Sequence, residues 1–142
     1  MDKYNLNRFV EAQIVTYEGA MLELARSRKE SHWIWYIFPQ IEGLGKSDIA
    51  KLYSIKSLEE GRAYLEHLVL GPRLFKACEI LLSLKDASMD EVMGFPDDLK
   101  LLSSMTLFEA LSDSNSIFTK IIEFYFEDER DEVSLKLIKE LP

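Results

Sequence analysis

The chain of 142 residues predicts an all-α fold, a single compact domain (1–142) of about six or seven helices. Three observations carry that expectation. Apolar residues recur at spacings of three to five along most of the chain, serines that suit helix starts stand just ahead of these runs, and glycine and proline fall between them. Hydrophobic residues make up 47% and charged residues 30%, so the chain has enough apolar surface to build a core without a disulfide or metal.

From Asn7 to about Arg28 the residues Phe9, Ala12, Val15 or Thr16, Ala20 and Leu24 mark one buried face, with Asn5 or Asn7 available as the cap. Trp33 to Phe38 is apolar without alternation and stops at Pro39, which reads as a buried connector. Gly43 and Gly45 mark a loop, and Ser47 caps a short helix to about Tyr53. Ser57 and Glu60 have capping-box spacing ahead of a helix to about His67. Gly71-Pro72 breaks the chain and opens a helix with Leu74, Phe75, Cys78, Leu81 and Leu82 on one face. Ser88 and Glu91 repeat the box before a short turn ended by Gly94, and Pro96-Asp97 starts a helix to about Leu111. Two further amphipathic stretches, Ile117 to about Phe126 and Glu132 to about Leu141, flank a charged, solvated turn over Glu127 to Glu132.

The single cysteine, Cys78, and an N-terminus without a basic and apolar leader point to a reducing, cytoplasmic setting. No apolar run is long enough to span a bilayer, so no membrane partner is expected. A net charge of −8 repels phosphate backbones, so no nucleic-acid partner is expected, although Arg26, Arg28 and Lys29 could meet a small phosphorylated ligand.

Gly45-Lys46-Ser47 resembles the end of a phosphate-binding loop, but Gln40 stands where that motif needs its first glycine. An anion at the helix start near Ser47 stays open. His32 and His67 have no metal-ligand spacing to a second His, Cys or carboxylate, so no metal is expected, and no cofactor is indicated. Cys78 falls on a buried helix face as an inert thiol, and Ser103 and Ser104 lack a nucleophile elbow. That serine pair is unusual inside a helix, where it serves either close packing or contacts to a ligand or buried polar network.

Ser31-His32-Trp33-Ile34-Trp35-Tyr36-Ile37-Phe38-Pro39-Gln40 is the most distinctive segment. Aromatic density of this kind is ordinarily core, yet Trp and Tyr need partners for their N–H and O–H groups, and an imidazole beside them can transfer a proton. An aromatic pocket with a few convergent polar groups is the usual build of a small-molecule site.

At these residues the chain resembles the mostly bacterial family known as domain of unknown function 1810, sometimes labelled calpastatin-like. The resemblance runs through Phe9, Ala12-Gln13 and Tyr17; Lys29 with Ser31-His32-Trp33, Phe38-Pro39-Gln40 and Gly43 to Ser47; and Ala63-Tyr64-Leu65, His67 and Leu70 to Leu74. It closes on Asp97, Lys100 and Ser103 to Phe108. It implies a small helical domain and no established activity. Three positions depart from the family pattern: Ser27 and Glu127-Asp128 stand where glycine is common, and Leu68 where proline is common.

The expected site is a pocket between the His32 segment and the helix start from Asp97 to Thr106, binding a small polar or anionic, nucleotide-like ligand. His32 is its proton-transfer or hydrogen-bonding group, Trp33 and Trp35 are stacking walls, and Lys46, Arg73 or Lys100 supply a counter-charge. Gln40, Asp97, Ser103, Ser104 and Thr106 complete the polar lining. The alternative is a protein-interaction module whose acidic surface engages a basic partner. An orphan hydrolase or transferase on a nucleotide derivative is a third reading, for which no nucleophile is evident.

Overall fold

The amphipathic runs fold as helices. The computed structural model describes residues 1–141 and contains α1 (Asn7–Ala25), α2 (Ile34–Ile37), α3 (Asp48–Leu52), α4 (Leu58–Glu66), α5 (Leu70–Ser83), α6 (Met89–Met93), α7 (Asp97–Ala110), α8 (Ile117–Tyr125) and α9 (Glu132–Glu140). Among the described residues there is no strand, and Ile41 and Ile55 form one isolated parallel bridge. The nine helices among the described residues exceed the six or seven expected because the Trp33–Phe38 connector and the Ser88–Gly94 turn each wind into a helix, of four and five residues. Elements of one turn carry no visible 3.6-residue period.

Helices α5 and α7 form the centre. α1 and α4 pack on α5, α6 and α9 pack on α7, and α8 spans both. α2 is wedged among α1, α5 and α7, which places the aromatic segment at the junction of three long helices. A line of aromatic rings runs through the core, with centroid separations of 5.1 Å for Phe9–Tyr64, 5.5 Å for Tyr64–Phe108 and 5.6 Å for Phe108–Phe118, all within the range of favourable ring pairs. Phe75, expected on the buried face of α5, is 40% exposed and rests one side on Phe118. Val15 is exposed, so the inward face of α1 runs through Phe9, Gln13, Ala20 and Leu24.

Several helix ends depart from the local rules. Neither Asn5 nor Asn7 caps α1; the Asp2 carboxylate accepts the amides of Leu6 and Asn7 at 2.7 and 2.8 Å. α1 ends at Ala25 because Ser27 adopts φ 62°, allowing the Arg28 amide to reach back to the Glu23 carbonyl at 3.0 Å. Glu127 and Asp128 likewise take φ 54° and 62° after α8. Glycine, the residue with no Cβ penalty in left-handed backbone, would fit these three positions without strain.

Ser57 accepts the Glu60 amide at 3.0 Å, while the Glu60 carboxylate reaches the amide of Lys56 instead of Ser57 at 2.9 Å. Ser88 makes no backbone cap and donates its hydroxyl to Glu91. His67 Nδ1 accepts the amides of Val69 and Leu70, so this histidine caps the start of α5. Arg8 ties the start of α1 to the segment between α3 and α4 by donating to the carbonyls of Tyr4, Asn5, Leu52 and Ser54 and to the Glu60 carboxylate.

Candidate functional site around Trp33, Trp35, Asp97 and Lys100

The two distinctive strings of the sequence meet through a residue that belongs to neither core. Lys29 has only 5% of its side chain exposed, and its ammonium lies 2.7 Å from Asp97 Oδ2. The same group donates to the Ser31 carbonyl and sits 5.0 Å from the centre of the Trp33 ring, while the Lys29 amide donates to Val92. A buried ammonium is tolerable only when paired and hydrogen-bonded, and Lys29 meets both conditions. It therefore pins the aromatic segment to the first turn of α7.

Asp97 also holds Lys100, one turn further along α7, at 3.4 Å from Oδ1. Lys100 keeps 30% of its side chain exposed, and its ammonium is 5.2 Å from the centre of the half-buried Trp35 ring. Trp33, by contrast, is 1% exposed and forms part of the core. The accessible part of the cluster is thus an indole, an ammonium and a carboxylate side by side, which can recognise a planar ring bearing negative charge.

Glu23 holds the other side of the segment. Its carboxylate accepts the Glu30 and Ser31 amides at 2.7 and 2.9 Å, the Ser31 hydroxyl at 2.6 Å and the Trp33 indole N–H at 2.9 Å. Partial burial opposes its ionisation, but the Ser31 hydroxyl, the two amides and the indole more than offset this and bring its pKa down to about 2. A groove of about 100 Å³ opens here between α1 and the segment, lined by Val15, Thr16, Gly19, Glu23, His32 and Trp33 among others. His32 is exposed at its side and hydrogen-bonds to no described residue. The Ser31 hydroxyl is already committed to Glu23.

The remaining expected residues lie elsewhere. Gln40 is half-buried and its carbonyl accepts the Ile55 amide at 2.8 Å. Lys46 is exposed ahead of α3, where the Ser47 hydroxyl takes the Ala50 amide. Arg73 lies 4.5 Å from the Tyr17 ring centre and donates to Gln13 at 3.3 Å, and Gln13 in turn donates to the Tyr36 carbonyl at 2.8 Å. Neither Lys46 nor Arg73 shares a hydrogen bond, ion pair or ring contact with the Asp97 cluster.

Ser103, Ser104 and Thr106 are in the core. Ser103 and Thr106 donate to carbonyls one turn back in α7, and Thr106 also accepts the Asp131 amide at 3.1 Å, which seats the start of α9. Ser104 is wholly enclosed and its hydroxyl has no partner among the described residues. Burial pushes the Cys78 thiol well above the usual range, and no group of three His, Cys, Asp or Glu side chains among the described residues could hold a metal ion.

Glu23 was not expected from the sequence, and Lys29 figured there in a basic patch with Arg26 and Arg28 and in the family resemblance beside Ser31-His32-Trp33, without a site role. That patch divides in the structure: Lys29 turns inward to Asp97, while Arg28 stays 78% exposed beside Glu30. The available signal for Glu23 was chemical. A buried Trp33 must find an acceptor for its indole N–H, and a glutamate ten residues earlier on the adjoining helix can supply it.

The family described as protein of unknown function (DUF1810) matches residues 3–138. A comparison with curated proteins found no match. Among solved structures, the chain is similar to the conserved hypothetical protein Rv1873 from Mycobacterium tuberculosis, with a TM-score of 0.95 and 43% identity over 97% of this chain and 99% of that one. With nearly the whole chain matched, the protein belongs to the DUF1810 family.

Proposed function

We propose that this domain binds a small, planar, anionic ligand, nucleotide-like in character, against Trp35 and Lys100. The observation that carries the proposal is the Lys100 ammonium, partly exposed, 5.2 Å from the half-buried Trp35 ring and steadied by Asp97. Trp35 supplies a stacking surface, Lys100 the charge, and the Lys29–Asp97 pair holds both elements in place. His32, three residues before Trp35, is the accessible hydrogen-bonding group of the segment. A reducing, cytoplasmic setting suits a chain whose one cysteine is a buried thiol.

Thermal shift against a panel of nucleotides, sugars and cofactors tests the proposal, because a ligand that binds only the folded state raises its stability. A hit is expected to be lost in Trp35→Ala and Lys100→Ala. A hit unchanged in both variants rejects the site.

The second reading, an acidic surface for a basic partner, is favoured by the exposed Glu127, Asp128 and Glu129 on the left-handed turn before α9. A partner captured by the wild type, lost on charge reversal across Glu127 to Glu132 and kept by His32→Ala, supports that reading instead.

A further inference from the structure

Gly19 stands in the interior of the 19-residue α1, where glycine weakens a helix, and a Cβ built on it meets nothing within 4 Å. No packing within the chain calls for a glycine there. On either side of it the helix leaves large apolar side chains in solvent: Val15 is 85% exposed and Leu22 55%, with Ile14 at 74% on the flank. At 3.6 residues per turn, Glu11, Val15, Glu18, Gly19, Leu22 and Arg26 fall within an arc of about 100°.

This stripe is self-complementary. Val15 and Leu22 share a midpoint between Glu18 and Gly19, and Glu11 and Arg26, residues of opposite charge, share the same midpoint. The geometry points to a second copy of this chain as the occupant, with two α1 helices packed antiparallel across that midpoint. In this register Val15 faces Leu22 of the second copy at the mouth of the groove beside His32, and Glu11 faces its Arg26. Glu18 and Gly19 flank the crossing, and the absence of a side chain at Gly19 leaves room there for Glu18 of the second copy. A uniformly basic partner would leave Arg26 opposed by like charge, whereas an isologous contact pairs both ends of the stripe. One helix face is a small contact, so the dimer is a weak and concentration-dependent one.

Sedimentation equilibrium of the full chain from about 10 μM to about 1 mM reads the association directly. A mass rising from 16.5 kDa toward twice that value is expected, and a monomer at every concentration overturns the proposal. Val15→Asp, at an exposed position, is expected to raise the dissociation constant about tenfold or more, and an unchanged constant overturns it. Glu11→Arg and Arg26→Glu should each weaken the dimer, and the double variant should recover it. A double variant no tighter than either single one rejects the antiparallel register. Gly19→Gln should raise the melting temperature while weakening association, a combination that a purely structural role for this position would not give.

Discussion

Replacing Glu23 with alanine removes the acceptor of four hydrogen bonds at once. Three of the donors, the Glu30 amide and the Ser31 amide and hydroxyl, belong to exposed residues and can turn to water. The fourth, the indole N–H of Trp33, belongs to a residue only 1% exposed. A buried donor left without a partner costs about 1–3 kcal/mol, and losing the charge-assisted bonds at the surface adds about 0.5–1 kcal/mol. The expected loss is therefore about 1.5–4 kcal/mol near pH 7, with Glu23→Gln intermediate because it keeps an oxygen for the indole. The effect also has a pH signature. The folded-state pKa of Glu23 is lowered from 4.5 to about 2, so the contribution of its charge is present above the unfolded value and disappears as pH falls through that interval. Urea titrations of wild type and Glu23→Ala at several pH values measure this. The gap between the two stability curves should shrink as pH falls toward about 2, approaching the gap between Glu23→Gln and Glu23→Ala, because the protonated carboxyl still accepts the indole N–H. A gap under about 0.5 kcal/mol at neutral pH, or one that stays constant on acidification, refutes the role assigned to this carboxylate.

The Lys29–Asp97 pair should be asymmetric: Asp97→Ala strands a nearly buried ammonium and costs about 3–5 kcal/mol, whereas Lys29→Met leaves Asp97 its second partner, Lys100, and costs less. Chemical denaturation of the two variants gives the comparison, and equal losses contradict it. Ser27→Gly relieves a left-handed φ of 62° and should raise stability by about 0.5–1 kcal/mol, read as a higher denaturation midpoint. Cys78, fully buried with its thiol pKa pushed up, should react with iodoacetamide only at the rate of unfolding, so labelling of the native protein in seconds contradicts its enclosure.

What the sequence made legible follows from how far each signal reaches. Runs of nine residues or more showed their apolar period, and the caps at Ser47 and Ser57 came from neighbours three residues apart. The exposed turn over Glu127 to Glu129 was legible from its charge run, whereas Arg130 and Asp131 in the same run are half-buried, Arg130 in an ion pair with Glu109 and Asp131 as the cap of α9. Helices α2 and α6 are too short to display a period, and the end of α1 depended on Ser27 adopting a conformation that its side chain does not advertise. Two strings stood out in the sequence, one for its aromatic density beside a histidine and one for a serine pair inside a helix, both locally unusual. What joins them was not legible, since Lys29 and Asp97 are 68 positions apart and only the tertiary fold makes a buried pair of them. Ser104 and Thr106 show the converse: polar residues inside an apolar run suggested a lining, yet both are enclosed within α7.

The chain contains two tryptophans, and their surroundings differ in the way that matters most for the proposed ligand site. Trp33 is enclosed with its indole N–H held by Glu23, whereas Trp35 is half-buried beside Lys100. Titrating nitrogen-15-labelled protein with adenosine monophosphate as a planar anionic probe therefore offers two indole signals as internal reporters. The Trp35 indole signal is expected to shift with saturation while that of Trp33 stays in place, and the shift should vanish in Lys100→Ala. Saturable binding that leaves the Trp35 signal still, or moves it equally in Lys100→Ala, contradicts ligand recognition at this site.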